Sequence, residues 1–96
     1  MSALSGPGLL EALSALANPH RLHIIAALVN ETNYVSQLAR EIGISRPLLI
    51  MHLKKLEDAG LVKSRLELSG EGKAMRYYEV VPFDIRLTPE FISKTQ

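Results

Sequence analysis

The sequence predicts an α+β fold that is mostly helical and carries one small β-hairpin. Three patterns lead there: apolar residues at helical spacing from Leu9 to Val29, two short helical patterns split by Gly43-Ile44-Ser45, and an alternating run after Gly60 that turns back on itself.

Met1 to Gly8 contains Ser2, Ser5, Gly6, Pro7 and Gly8 and reads as a flexible start. Leu9, Leu10, Leu13, Leu16 and Ala17 then recur at helical spacing, with more apolar positions than one core face of so short a protein requires. Asn18 and Pro19 restart the chain as a cap and a first-turn proline. Leu22, Ile25, Ala26, Leu28 and Val29 make a second helix that is apolar almost all round, so it is expected at the centre. Thr32 or Asn33 is placed to cap a third helix. In that helix Val35, Leu38, Ala39 and Ile42 share an apolar face, while Gln37, Arg40 and Glu41 turn away.

Gly43 suits the left-handed conformation that ends a helix, Ser45 suits the cap of the next, and Pro47 is tolerated in its first turn. Leu49, Leu53 and Leu56 form the inward stripe of this fourth helix, about residues 46–59, and Gly60 stops it. Two such helices across a three-residue turn are the signature of a helix-turn-helix. From Leu61 to Ser69, Val62, Leu66 and Leu68 alternate with Lys63, Arg65 and Glu67, as in a half-buried strand. Ser69 to Lys73 supplies the turn, and Met75 to Val81 returns. A hairpin after a helix-turn-helix is a wing, which makes residues 9–81 a winged helix-turn-helix. Residues 82–96 read as a C-terminal arm: Phe83, Ile85 and Leu87 alternate as a short third strand or extended segment, and Thr88-Pro89-Glu90 caps a final turn.

Ninety-six residues make one domain. Burial of a large apolar side chain is worth roughly 1.5 to 3 kcal/mol, which leaves so short a chain marginal and a partner subunit a natural source of stability. Cysteine is absent, which removes disulfides and thiolate metal sites. The longest apolar run, Ile24 to Val29, falls far short of the roughly 18 residues of a membrane span, so the expectation is a cytoplasmic protein with no membrane partner. The net charge is only +1, but between Arg40 and Arg76 eight Lys/Arg face five Asp/Glu. Positive charge therefore collects on the helix-turn-helix and hairpin.

In this setting Ala17-Asn18-Pro19-His20-Arg21-Leu22-His23-Ile24-Ile25 resembles the opening motif of the ArsR-type winged-helix repressors. Ser45-Arg46-Pro47 and the run His52 to Val62 are similar to that family's core motif, and Arg76-Tyr77-Tyr78 resembles its return strand. The resemblance spans about Leu9 to Val81 and implies a dimeric DNA-binding regulator of transcription, with repression the expected direction. Metal-sensing members carry a Cys-x-Cys pair in the first helix of the motif, where this chain has Tyr34 and Ser36, and no histidine follows His52 for a C-terminal metal site. Neither a metal nor another cofactor is expected.

A rotation of about 100° per residue, with Leu49, Leu53 and Leu56 inward, places Pro47, Leu48, Met51, Lys54 and Lys55 outward and Arg46 and Ile50 at the edges. The expected contacts to double-stranded DNA are Ser45, Arg46, Pro47, Leu48, Met51, Lys54 and Lys55, joined by Arg65, Lys73 and Arg76 from the hairpin. Arg46 suits a bidentate pair with guanine, Leu48 and Met51 suit thymine methyls, and the lysines suit phosphates. The apolar Leu48, Ile50 and Met51 face also suits a protein partner, so a protein-interaction module in a regulatory assembly is the alternative. A single winged helix reads few base pairs, so a homodimer is expected through Leu9, Leu10, Leu13 and Leu16 with Ile85, Leu87 and Phe91.

His20 and His23 have metal-compatible spacing but lack further ligands, and read as ordinary helix-start histidines; His52 sits at the margin of the core stripe. No catalytic constellation occurs. Gly70-Glu71-Gly72-Lys73 is a hairpin turn rather than a phosphate loop.

Overall fold

The structure is a computed structural model that describes residues 6–96. The described residues form five helices and a three-stranded antiparallel sheet: α1 Gly6–Leu16, α2 Pro19–Leu28, β1 Asn33–Tyr34, α3 Val35–Ile42, α4 Arg46–Asp58, β2 Val62–Leu68, β3 Ala74–Val80 and α5 Pro89–Lys94. The sheet order is β1-β3-β2. The α+β expectation holds, with helix-turn-helix and hairpin in the anticipated order.

Helix α1 begins inside the stretch expected to be flexible, because proline is compatible with a first turn whose N–H groups have no intrahelical partner. The rest of that stretch, residues 1–5, lies outside the described residues. Its inward residues are Leu9, Ala12 and Ala15, and the small Ala12 and Ala15 side chains are almost wholly covered. Asn18 caps α2 as expected, its Oδ1 accepting from the backbone N–H groups of His20 and Arg21 at 2.9 and 3.2 Å. The buried positions of α2 are Ile24 and Leu28, whereas Leu22 and Val29 stand largely in solvent. The helix is central along one face, not all round.

Neither Thr32 nor Asn33 caps α3. Tyr34 occupies that position with no side-chain bond, because Asn33 is drawn into the sheet. There its Oδ1 accepts from Tyr34 N–H at 2.9 Å and its Nδ2 donates to Glu41 Oε1 at 3.3 Å. β1 pairs with β3 through Asn33 opposite Tyr78 and Tyr34 opposite Tyr77, and the rings of Tyr34 and Tyr77 meet edge-on with centroids 5.6 Å apart. This short segment, and not Phe83 to Leu87, is the third strand. Val81 N–H still donates to the Leu61 carbonyl at 3.0 Å, and the arm that follows forms no strand, since Pro82 brings no N–H to a ladder. Thr88 Oγ1 then accepts from Phe91 N–H at 3.0 Å and starts α5, in agreement with the expected final turn.

Gly43 takes φ 82°, a left-handed cap that returns its N–H and that of Ile44 to the Ala39 carbonyl. Gly60, at φ 76°, ends α4 with a left-handed turn too, its N–H donating to the Glu57 carbonyl and that of Leu61 to the Leu56 carbonyl. These two breaks hold α3, α4 and the hairpin around a core of Ile24, Leu38, Leu49, Leu53, Leu56 and Val62, with Tyr78 closing it from β3.

Candidate nucleic-acid interface

Because Leu49, His52, Leu53 and Leu56 bury one side of α4, its opposite side is offered to solvent from the first residue. Ser45 caps the helix, its Oγ accepting from Leu48 N–H at 3.3 Å. No acidic side chain lies in the first turn, so the positive end of the helix dipole stays uncompensated. Arg46 and Pro47 are exposed there, and Leu48 is half-buried. The exposed apolar surface is thus narrower than the expected Leu48, Ile50 and Met51 face and consists of Ile50 and Met51, 50% and 54% exposed.

Arg46 borders a shallow open depression between α3 and α4 together with Arg40, Ser36 and Ser45. Arg40 was not among the expected contacts. Its outward position on α3 was legible from periodicity, but its closeness to Arg46 depends on how the two helices cross. Gln37 Oε1 accepts from its Nη2 at 2.7 Å and holds it on the surface.

Farther along α4, Lys54 lies 3.5 Å from Asp58, an exposed pair of small energetic value that leaves the ammonium available to phosphate. Lys55 lies on the flank toward α1, bordering a groove with Leu10 and Asp58. It stands apart from the Arg46 end.

The hairpin divides its charges between two faces. Arg65 lies 3.3 Å from Glu67 and 3.4 Å from Glu79, and Lys63 lies 3.8 Å from Glu79. Arg76 is on the opposite face, opposite Leu66 in the ladder, and its Nη1 donates to Ser64 Oγ at 3.0 Å. Ser64 in turn donates to Glu57 Oε2 at 3.3 Å, tying the end of α4 to the root of the wing. Lys73 is exposed in the turn, where the Ser69 hydroxyl accepts from its backbone N–H at 3.1 Å. Arg65, Lys73 and Arg76 therefore do not form one cluster. Among the described residues no carboxylate lies within 4.0 Å of Arg46, Lys55, Lys73 or Arg76.

The alternating leucines of β2 are a correction. Val62 is buried, but Leu66 and Leu68 are 60% and 76% exposed, because the hairpin runs beyond the core that their side of the strand faces at its root. On β3, Tyr78 points inward and Tyr77 outward, as alternation requires. Burial, with Glu57 adding to it, pushes the Tyr78 hydroxyl up from its ordinary value.

Of the residues expected at a dimer contact, Leu9 is buried in the chain's own fold and Leu10 is the outward one, 70% exposed. Leu13 and Phe91 are half-buried, Leu16 and Ile85 pack partly on the core, and Leu87 is 50% exposed. His20 is half-buried and His23 exposed; no group of three His, Cys, Asp or Glu able to hold a metal ion occurs among the described residues. None of the described helices is long and apolar enough to cross a membrane.

An open α4 start, a three-residue turn behind it and a hairpin with free cations beside it define a winged helix-turn-helix regulator. The chain belongs to the arsR family of bacterial regulatory proteins, whose model matches residues 18–64. It is 41% identical over 80 residues, 83% of each chain, to an uncharacterised HTH-type transcriptional regulator of Methanocaldococcus jannaschii. The crystal structure of NolR from Sinorhizobium fredii superposes with a TM-score of 0.68 at 34% identity, covering 85% of this chain and 83% of that one. A homodimeric winged helix-turn-helix DNA-binding domain from Mycobacterium bovis, described as a possible ArsR-family regulator, matches with a TM-score of 0.68 at 28% identity, over 77% of this chain and 64% of that one. The family is one of regulatory proteins and the Methanocaldococcus jannaschii relative is named a transcriptional regulator, so the chain's class is that of a regulator, not an enzyme.

Proposed function

We propose that the protein binds double-stranded DNA sequence-specifically as a homodimer in the cytoplasm and represses transcription. Helix α4 enters the major groove, and the β2–β3 hairpin serves as the wing. The observation that carries this reading is the exposed start of α4, where Arg46 and Arg40 border one depression with no acidic residue in the helix's first turn. Arg46 supplies bidentate recognition of guanine, while Lys54 and Lys73 neutralise phosphates. Leu10, Leu13 and Leu16 of α1, with Ile85, Leu87 and Phe91 of the arm, supply the subunit contact. Two recognition helices then address half-sites about 34 Å apart.

Selection of bound fragments from the organism's own genome tests the reading. A shared pseudo-palindromic motif is expected, and Arg46→Ala is expected to blur it. Light scattering at micromolar concentration tests the dimer, and a monomer would contradict it. The exposed Ile50 and Met51 favour one alternative, a protein-binding module using the outer face of α4. Failure to enrich any duplex, with a folded protein, would favour that alternative.

A further inference from the structure

The hairpin leaves one edge of the sheet open. The strand order β1-β3-β2 gives β3 a neighbour on both sides and β2 a neighbour on one, so among the described residues the outer edge of β2 has no ladder partner. Such an edge presents a row of backbone N–H and C=O groups to any extended chain. β2 also carries two unlike faces. On one, Leu66 and Leu68 are 60% and 76% exposed beyond the buried Val62, and Ser64 links Arg76 to the Glu57 carboxylate through hydrogen bonds of 3.0 and 3.3 Å. On the other, Lys63, Arg65 and Glu67 stand at every second position, with Arg65 3.3 Å from Glu67.

We infer that this edge is a contact for a second copy of the chain, in which two β2 strands pair antiparallel about a two-fold axis with Leu66 opposite Leu66. An axis normal to the sheet keeps each face of the strand on its own side, so the pair can centre only on a residue. Centred on Arg65 or on Glu67, it would set two like charges directly against each other, which destabilises. Centred on Leu66, it sets Arg65 of each copy against Glu67 of the other and Ser64 against Leu68. Leu66 and Leu68 of both copies then form one apolar strip across the axis. Arg76 lies opposite Leu66 on β3, so the two guanidinium-bearing positions are three strand spacings, about 14 Å, apart. Each keeps its own Ser64 and Glu57.

A strand of another protein would have to reproduce this alternation of leucine and opposite charge, whereas a second copy carries it already. Five residues a side make a contact below the roughly 1,200 Å² of a stable interface, so it joins copies that are already concentrated. It is separate from the subunit contact through α1 and the arm. On DNA it would couple copies bound at neighbouring sites.

Disulfide trapping tests the pairing in a chain that has no cysteine of its own. Leu66→Cys puts two thiols on the axis, where directly opposite Cα atoms lie about 4.5–5.5 Å apart, within the usual disulfide range. Leu68→Cys puts them four residues, or about 13 Å, apart, although Leu68 is the more exposed side chain. With oxidised glutathione, Leu66→Cys should give covalent dimer on a denaturing gel about tenfold faster than Leu68→Cys. Arg65→Glu and Glu67→Arg each set like charges across the axis, so neither should associate through this edge alone. Their equimolar mixture restores two opposite pairs, and by light scattering at high concentration it should be heavier than either variant. Cross-linking at position 68 as fast as at position 66 would overturn the pairing, and so would a mixture no heavier than its components. Neither assay contains DNA, so their outcome is independent of the DNA-binding reading.

Discussion

Arg21 and His52 join α2 to the recognition helix through a hydrogen bond of 3.0 Å between Nη1 and Nδ1. A guanidinium only donates, so Nδ1 must carry the lone pair and the ring proton must sit on Nε2. Arg21 Nε also donates to the Ala15 carbonyl at 2.6 Å, so a single side chain ties α1, α2 and α4 together. His20 stacks nearby at a tilt, its ring centroid 5.4 Å from that of His52. With His52 only 4% exposed, the orientation of α4 depends on a buried polar centre that is satisfied while His52 is neutral.

Acid should therefore loosen the fold. Burial first, then the charge of Arg21, then His20, holds the His52 pKa below the ordinary imidazole value of 6.5. The unfolded chain takes up the proton before the folded one does. The contribution of this group is complete above pH about 6.5 and declines as pH falls from there toward the lowered folded value. The thermal midpoint should drop between about pH 7.5 and about pH 5.5, and His52→Gln should reduce that slope. His20 and His23 are common to both proteins, so parallel slopes would show that His52 is not responsible.

Arg21→Ala removes both donors and leaves the His52 nitrogen and the Ala15 carbonyl without them. A loss of about 2 kcal/mol is expected, read as a lower urea midpoint. Arg21→Lys should recover only part of it, because one ammonium cannot reproduce the guanidinium's fixed fork of donors.

Burial makes a sharper contrast between two leucines. Leu53 is fully buried, so Leu53→Ala should cost about 2–5 kcal/mol, enough to threaten folding. Leu68 is 76% exposed, and Leu68→Ala should stay within about 0.5 kcal/mol of wild type. Similar losses at both would mean that the wing is covered in the folded protein.

Much of this architecture is legible in the sequence where local chemistry decides it. Gly43 and Gly60 end helices, Asn18, Ser45 and Thr88 cap them, and the Leu49, Leu53 and Leu56 stripe turns inward as its spacing requires. The misreadings lie where a distant element decides. Asn33 looks like a cap, but β3 offers it an open edge, and a two-residue strand has no period to detect. Leu66 and Leu68 lie on the predicted side of β2, yet alternation does not say where the core ends. For Leu9 and Leu10, the helix pattern leaves the phase open, and the packing of α1 places only Leu9 inward. Within the site, Arg46 is legible as an exposed helix-start cation. Its neighbour Arg40, and the separation of Arg65 from Arg76, follow from helix crossing and strand register.

Base readout and phosphate contact should separate by mutation. Arg46→Ala should relax preference at one base pair by about 1–3 kcal/mol. Lys73→Ala should weaken binding to every duplex alike and make the salt dependence shallower by about one unit of log–log slope. Competition between selected and random duplexes distinguishes the two patterns, and a uniform loss from Arg46→Ala would reduce that residue to a phosphate contact.

The most direct test of the central claim is the affinity of the wild-type chain for random-sequence duplex, measured at low and at near-physiological salt. The positive charge that Arg46, Lys54, Lys73 and Arg76 bring to the duplex predicts tight binding at low salt that falls steeply as salt rises. No detectable binding of the folded protein at low salt would contradict a DNA-binding role for α4 and its wing.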